Sequence, residues 1–298
     1  VLTDAQTKVV ILDCDLGGMD LPLVNEIRQK IGELLDTPTS HVSVAVTHTH
    51  SSPLTERSKV EVPHLTGFNS SVVEASNAYI DNLVNQLCGI AVLADNRGQP
   101  ARVASGRGQA KVAINREELN EDGRILIGRN PDGQTDHTVD VLRVDDLDGN
   151  PIAVITGYAA HPVVMGWKHG LLSPDFPGVV RRIIEQITGA TCLYLTGAAG
   201  NQATLSFLQD DWGEVERTGG IIGCEAAKVF FDIETRPHDV VREVKDSLSG
   251  LALYHKEFRN EPNHQIMKAA ARLVEVPLQS LPTLEKAETY LTETSDHL

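Results

Sequence analysis

The segment "VSVAVTHTHSSP", residues 42 to 53, ends an apolar run in two histidines one residue apart. On a strand, residues i and i+2 share a face, so His48 and His50 are expected to project together from the strand's carboxyl end. Two imidazoles so placed can share one metal ion. Neutral imidazole is a common zinc ligand, and a catalytic zinc needs about three protein donors plus an open position. His161 is the third candidate, because it closes another apolar run, "AVITGYAAHP", which Pro162 stops. Each histidine taken alone reads as an ordinary strand-end residue. Two strands that both end in histidine predict convergence at one sheet edge, where open α/β sheets place their ligands. Of the remaining histidines only His169 is expected near that edge, since "GWKHGLLSPDFPG" must return there.

Acidic and amide side chains could serve such an ion. Asp13 and Asp15 end the first apolar run with Gly17-Gly18 behind them, which reads equally as turn chemistry. Asp175 falls in the first turn of a helix, where the dipole favours a carboxylate whatever its role. The loop "LTGAAGNQAT" brings backbone N–H groups close to a ligand and offers the amide of Asn201. Asp15, Asp175 and Asn201 are therefore candidates for proton transfer, support of the metal ligands or oxyanion contact. The same loop lacks the Lys-Ser/Thr pair of a phosphate-binding loop, and no Gly-x-Ser-x-Gly elbow occurs.

The elements that must position these groups follow from periodicity. "KVVILDCDL", residues 8 to 16, is a strand buried on both faces. A helix follows with Asp20 as cap, Pro22 in its first turn, and Leu23, Ile27, Ile31, Leu34 and Leu35 facing inward. After a long polar loop containing Pro53, Pro63 and Gly67, a second helix starts at Ser70 or Ser71 and runs to about residue 94. Its apolar side is expected to carry Val72, Val73, Ala75, Ile80, Leu83, Val84 and Leu87. Residues 101 to 114 read as one strand. "TVDVLRVDDLDGNPIAVITGYAAHP" reads as a hairpin turning at Asp148-Gly149-Asn150-Pro151. Ser173 and Pro174 mark the start of a third helix, "TCLYLT" at 191 to 196 is a strand, and a helix covers roughly 213 to 231. Residues 247 to 258 alternate as a strand, and "SLPTLEKAETYL" opens a last helix. Strand-helix units interleaved with hairpins give an α/β class, a mixed β-sheet core with flanking helices.

The chain has 298 residues, 41% of them apolar, enough to bury a sizeable core in a single domain over 1 to 298. A formal charge of −15 argues against a nucleic-acid partner. No run approaches the roughly eighteen apolar residues of a membrane span, and no signal-peptide pattern opens the chain. A soluble protein, cytoplasmic or secreted, is the expectation. Cys14, Cys88, Cys192 and Cys224 are scattered and mostly lie in apolar runs, as buried thiols do, so no disulfide framework is expected.

Several segments together resemble one family, the neutral/alkaline non-lysosomal ceramidases and their bacterial homologues. They are "VAVTHTHSSP", "INR" at 114 to 116 with "GRNPDG", "VDVLRVDDLDGNPIAVITGYAAHPVVMG", "SPDFPG" and "LYLTGAAGNQA", in the family's order. The resemblance implies that His48, His50 and His161 bind a catalytic zinc that activates water against a linear amide, the N-acyl bond of ceramide or a related lipid. It also implies a glutamate and a tyrosine that complete the zinc site in segments following Leu298, and thus an incomplete catalytic domain. Gly200-Asn201-Gln202-Ala203-Thr204 stands where the family has Gly-Asp-Val-Ser-Pro. The expected function is a zinc-dependent amide hydrolase acting on a small-molecule or lipid N-acyl substrate. The alternatives are an amidohydrolase barrel acting on a small amide or ester, and a catalytically silent metal-binding or interaction domain.

Overall fold

The computed structural model describes residues 1–57, 69–166, 169–259 and 267–272, with positions 274, 275, 283, 284 and 286. Most of the long loop with Pro63 and Gly67, and the helix expected from "SLPTLEKAETYL", lie outside the described residues.

The first half-core is built on a parallel pair. Strand β2 (Lys8–Cys14), flanked by the short β1 (Leu2–Thr3), pairs with β3 (Val42–Val46). Between them runs helix α1 (Leu21–Leu35), whose cap is Asp20, its side chain accepting from Leu23 N as expected. Leu23, Ile27, Ile31 and Leu35 are buried, whereas Leu34 is exposed: at 100° per residue it falls on the outer flank of the stripe. Helix α2 (Ser70–Asn96) packs on α1, with Ile80, Val84, Leu87, Cys88 and Ala91 buried. Its cap is Asn69 rather than Ser70 or Ser71, because the Asn69 carboxamide oxygen accepts from Val72 N. Val72 and Ala75, expected on the apolar side, are exposed.

The second half-core surrounds a four-stranded mixed sheet in the order β4 (Ala101–Gln109), β7 (Thr138–Asp146), β8 (Pro151–Tyr158), β9 (Thr191–Thr196). β7 and β8 form the expected hairpin, and β8 runs parallel to β9. The strand read over 101 to 114 is two strands. β4 ends at Gln109, and β5 (Ala113–Leu119) leaves to pair with β6 (Ile125–Asn130) and β10 (Gln202–Thr204) in a separate antiparallel ribbon. The pairing of β4 with β7 continues through Ala110, whose N donates to the His137 carbonyl, and the break follows it, before Ala113. Helices α3 (Phe176–Thr188) and α4 (Trp212–Asp232) cover the sheet, burying Phe176, Val180, Ile184, Ile222 and Phe230. The helices meet closely at Gly219, where an added Cβ would lie 2.5 Å from Val179 Cβ and 2.8 Å from the Phe176 carbonyl oxygen.

Strand β12 (Leu251–Phe258) pairs with β11 (His238–Lys245), a strand whose polar sequence gave no alternation signal. Cys14, Cys88 and Cys192 are buried free thiols, but Cys224 is exposed on the outer face of α4. Among the described residues the sheets are separate, two mixed and two antiparallel, not a closed parallel barrel. Among the described residues no helix is long and apolar enough to cross a membrane.

Candidate metal centre

β3 stops at Val46, two residues before the first histidine, so His48 and His50 do not share a strand face as the sequence spacing predicts. His48 adopts φ +67°, a left-handed conformation that leaves the strand direction. Backbone bonds hold this turn against the end of β2. Thr47 N donates to the Cys14 carbonyl and His48 N to the Leu16 carbonyl, both at 2.9 Å. The alternation survives in another form, since Thr47 and Thr49 are fully buried while His48 is half-buried and His50 exposed. His161 also lies past its strand, three residues after Tyr158. It is held by a bridge to Ala203, with His161 N donating to the Gln202 carbonyl at 3.0 Å.

The structure brings the three histidines together. One nitrogen from each lies within 4.8 Å of the others, and the ring centroids are 4.6 Å (His48 to His161), 5.2 Å (His48 to His50) and 5.7 Å (His50 to His161) apart. His48 Nδ1 lies 2.5 Å from the Gly17 carbonyl oxygen and His161 Nδ1 lies 2.6 Å from that of Ala199. A carbonyl can only accept, so each Nδ1 carries a proton and each ring turns its Nε2 toward the other. Those two Nε2 atoms lie 3.0 Å apart. Two ring nitrogens at that distance share a proton or another cation, which fits the donor set of a metal centre. The carbonyls of Gly17 and Ala199 orient the rings as such backbone partners do for metal-bound histidines.

The electrostatics agree. His161, 7% exposed, has its pKa pushed down to about 4, first by burial and then, against the lift from the Ala199 carbonyl, by Arg116 and the other two histidines. It is neutral at pH 7, the form that binds a metal. His50, which reaches solvent, is also lowered, by lost hydration first and by His48 and Arg116 after it. Arg116 sits at the start of the β5 ribbon. Its Nε donates to the Gly200 carbonyl and its N to the Asn201 carbonyl, at 3.0 and 2.9 Å. Its own pKa is lowered by desolvation. The sequence reading used Arg116 only as part of a motif, because nothing local to "INR" shows which loop it returns to.

The other candidates fall in different places. Asp15 is exposed and ion-paired to Arg181 at 2.5 Å. Asp175 is buried and replaces Ser173 as the cap of α3. Its Oδ1 accepts from Phe176 N at 2.6 Å and its Oδ2 from Met165 N at 2.8 Å, while its own N donates to Ser173 Oγ. Asp175 stands at φ +55°, so Pro174 precedes the helix and Pro177 occupies its first turn. The carboxylate ties α3 to the loop that follows His161. Burial raises its pKa to about 6, against the pull of the Met165, Phe176 and Val164 N–H groups. Asn201 lies in the loop that contacts His161 on both sides, through the carbonyls of Ala199 and Gln202. His169 is near but separate, its Nε2 3.0 Å from Ser51 Oγ and its ring edge-on to Trp212.

No family model matches the chain. The chain is 29% identical over 159 residues to neutral ceramidase B of Dictyostelium discoideum, a match spanning 50% of this chain and 20% of that protein. It is 24% identical over 180 residues to neutral ceramidase A of the same organism, spanning 56% and 22%. The matches thus cover about a fifth of those relatives' length. Among solved structures, a ceramidase complexed with C2 superimposes with a TM-score of 0.61 at 21% identity, covering 79% of this chain and 38% of that one. The neutral ceramidase from Pseudomonas aeruginosa gives 0.59 at 19% identity, covering 82% and 42%. In sequence and in fold the chain is neutral ceramidase-like.

Proposed function

We propose that this chain carries the histidine portion of a metal-dependent amide hydrolase, with His48, His50 and His161 holding a zinc ion and an N-acyl compound as substrate. The observation that carries this reading is the convergence of three histidine nitrogens within 4.8 Å, two of them Nε2 atoms 3.0 Å apart on rings locked by a carbonyl at Nδ1. The likeness to proteins named neutral ceramidases supplies the reaction class.

When bound, a zinc ion polarises a carbonyl and brings the pKa of its water to about 7. This chain's own residues do the rest. Gly17 and Ala199 fix the imidazoles, and exposed His50 marks the side on which substrate enters. Arg116, whose charge is felt by both His50 and His161, is proposed to meet negative charge developing on a substrate oxygen. The segment after His50 forms one wall of an apolar groove of about 370 Å³, lined by Pro53, Leu54, Val72, Ala75, Ser76 and Tyr79. That volume is in the range of small-ligand pockets and suits an acyl chain. Asp175 acts as a positioning residue through the loop after His161. Asp15 and Asn201 are proposed to support the ligands and to contact an oxyanion respectively.

The test is hydrolysis of a panel of N-acyl compounds, from short acyl amino acids to ceramides, by the full-length protein with and without a chelator. Chelator-sensitive cleavage of at least one member is expected. Bound zinc with no turnover across the panel would instead indicate a silent metal-binding domain.

A further inference from the structure

The histidines come from different halves of the molecule. His48 and His50 belong to the β2–β3 half-core, packed by α1 and α2, and His161 to the half-core of β7, β8, β9, α3 and α4. The seam between them is largely polar. Tyr194 N of β9 donates to Asp13 Oδ2 at 2.8 Å, and Thr196 Oγ1 to the Thr47 carbonyl at 2.7 Å. Thr49 Oγ1 donates to the Ser173 carbonyl at 2.7 Å, and Ser173 N to the Ser51 carbonyl at 2.9 Å. The charged contact in this seam is Arg181 of α3. Its NH1 lies 3.1 Å from Asp13 Oδ2 and its NH2 2.5 Å from Asp15 Oδ2. Asp13 and Asp15 flank Cys14, so the guanidinium grips two carboxylates on one side of the end of β2. The next carbonyls of that same segment, those of Leu16 and Gly17, hold the N–H and the ring of His48.

We propose that Arg181 is a positioning residue for the metal centre: by clamping Asp13 and Asp15 it holds the segment that presents His48 in register with the half-core that presents His161. The inference deepens the metal reading above and rests on it for one of its two readouts. The Arg181 side chain is 17% exposed and that of Asp13 only 6%, so this arm of the fork is shielded, while the other arm reaches Asp15, whose side chain is 39% exposed; the planar guanidinium fixes the two carboxylates relative to each other. No local pattern in "GVVRRIIEQ" separates Arg181 from Arg182, yet Arg182 pairs on the surface with Glu216 of α4 and touches neither half of the site.

The test uses Arg181→Met, Arg181→Lys, Asp15→Asn and, as a control, Arg182→Met in the full chain. The first readout is zinc affinity by competition with a chromophoric chelator. Arg181→Met is expected to bind zinc at least tenfold more weakly and Arg181→Lys to recover part of the loss, with Arg182→Met unchanged. The second readout is amide hydrogen exchange in the metal-free protein. Arg181→Met is expected to speed exchange across residues 47 to 51 while β7 and β8 keep their protection. If Arg181→Met does not fold, because buried Asp13 is left unpaired, Asp15→Asn decides in its place by the same two measures. Wild-type affinity together with wild-type exchange at residues 47 to 51 would overturn the clamp. Failure of the wild-type protein itself to bind zinc would sink the metal reading and leave the clamp to be judged by exchange alone.

Discussion

The chemistry at the residue scale rests on side chains whose partners leave them one state. His48 and His161 are each fixed at Nδ1 by a carbonyl, so the spacing His-x-His matters less as strand geometry than as the source of one locked ring, His48, and one exposed ring, His50, that meet His161. The convergence read from the sequence is present, but a positive φ at His48 produces it, and no periodicity argument sees a single residue in the left-handed region. Asp175 shows a similar limit. Its position reads as the first turn of a helix capped by Ser173, whereas Asp175 is itself the cap of α3 and its second oxygen reaches Met165, a contact that spacing along one helix cannot show. This carboxyl gives a pH prediction. Its ordinary value of 3.8 is raised to about 6 in the fold, so between those values the folded chain holds a proton that the unfolded chain releases. The stabilisation is therefore full below about pH 4 and is lost as pH rises through 6. One pKa unit is about 1.4 kcal/mol, so the change is on the order of 1 to 3 kcal/mol. Urea denaturation of the wild type and Asp175→Asn at several pH values should show the wild-type advantage shrinking as pH rises from 4 to 7; an advantage that grows would contradict it.

At the element scale α3 is the organiser. Its lead-in Ser173 bonds the histidine turn, its cap Asp175 bonds the loop after His161, and Arg181 one turn and a half later reaches β2. The helix can do this only if its inner face stays seated on the sheet and on α4. Gly219→Ala should separate α3 from α4, since the new Cβ meets Val179 and the Phe176 carbonyl at less than contact distance. Overpacking of this kind costs about 1–3 kcal/mol, readable as a lowered midpoint in urea, together with weakened zinc binding. Ile184→Ala, which empties a fully buried site on the same helix, should cost about 2–5 kcal/mol. Most of these elements were legible: strong runs such as "TCLYLT" and the turn Asp148-Gly149-Asn150-Pro151 appear as read. The split of 101 to 114 into β4 and β5 was not, because both pieces carry strand-like residues and only the partner sheets differ. β11 was missed because its faces are both largely exposed, so burial imposed no alternation on its sequence.

Across the whole molecule, a metal centre assembled from two half-cores links metal binding to global stability. An ion that binds only when the halves are in register stabilises the folded state by mass action, about 2.7 kcal/mol at a hundredfold excess over its dissociation constant. Zinc should accordingly raise the thermal midpoint of the wild-type protein and leave that of a His48→Ala/His50→Ala variant unchanged; equal shifts in both would show that the stabilising ion binds elsewhere. A net charge of −15 attracts cations without a defined site, so stoichiometry decides more than affinity alone. The most direct measurement is metal analysis of the purified protein after loading with one equivalent of zinc and exhaustive buffer exchange. The account predicts close to one zinc per chain in the wild type and loss of that zinc in His48→Ala/His50→Ala; full zinc occupancy in the double variant would contradict it.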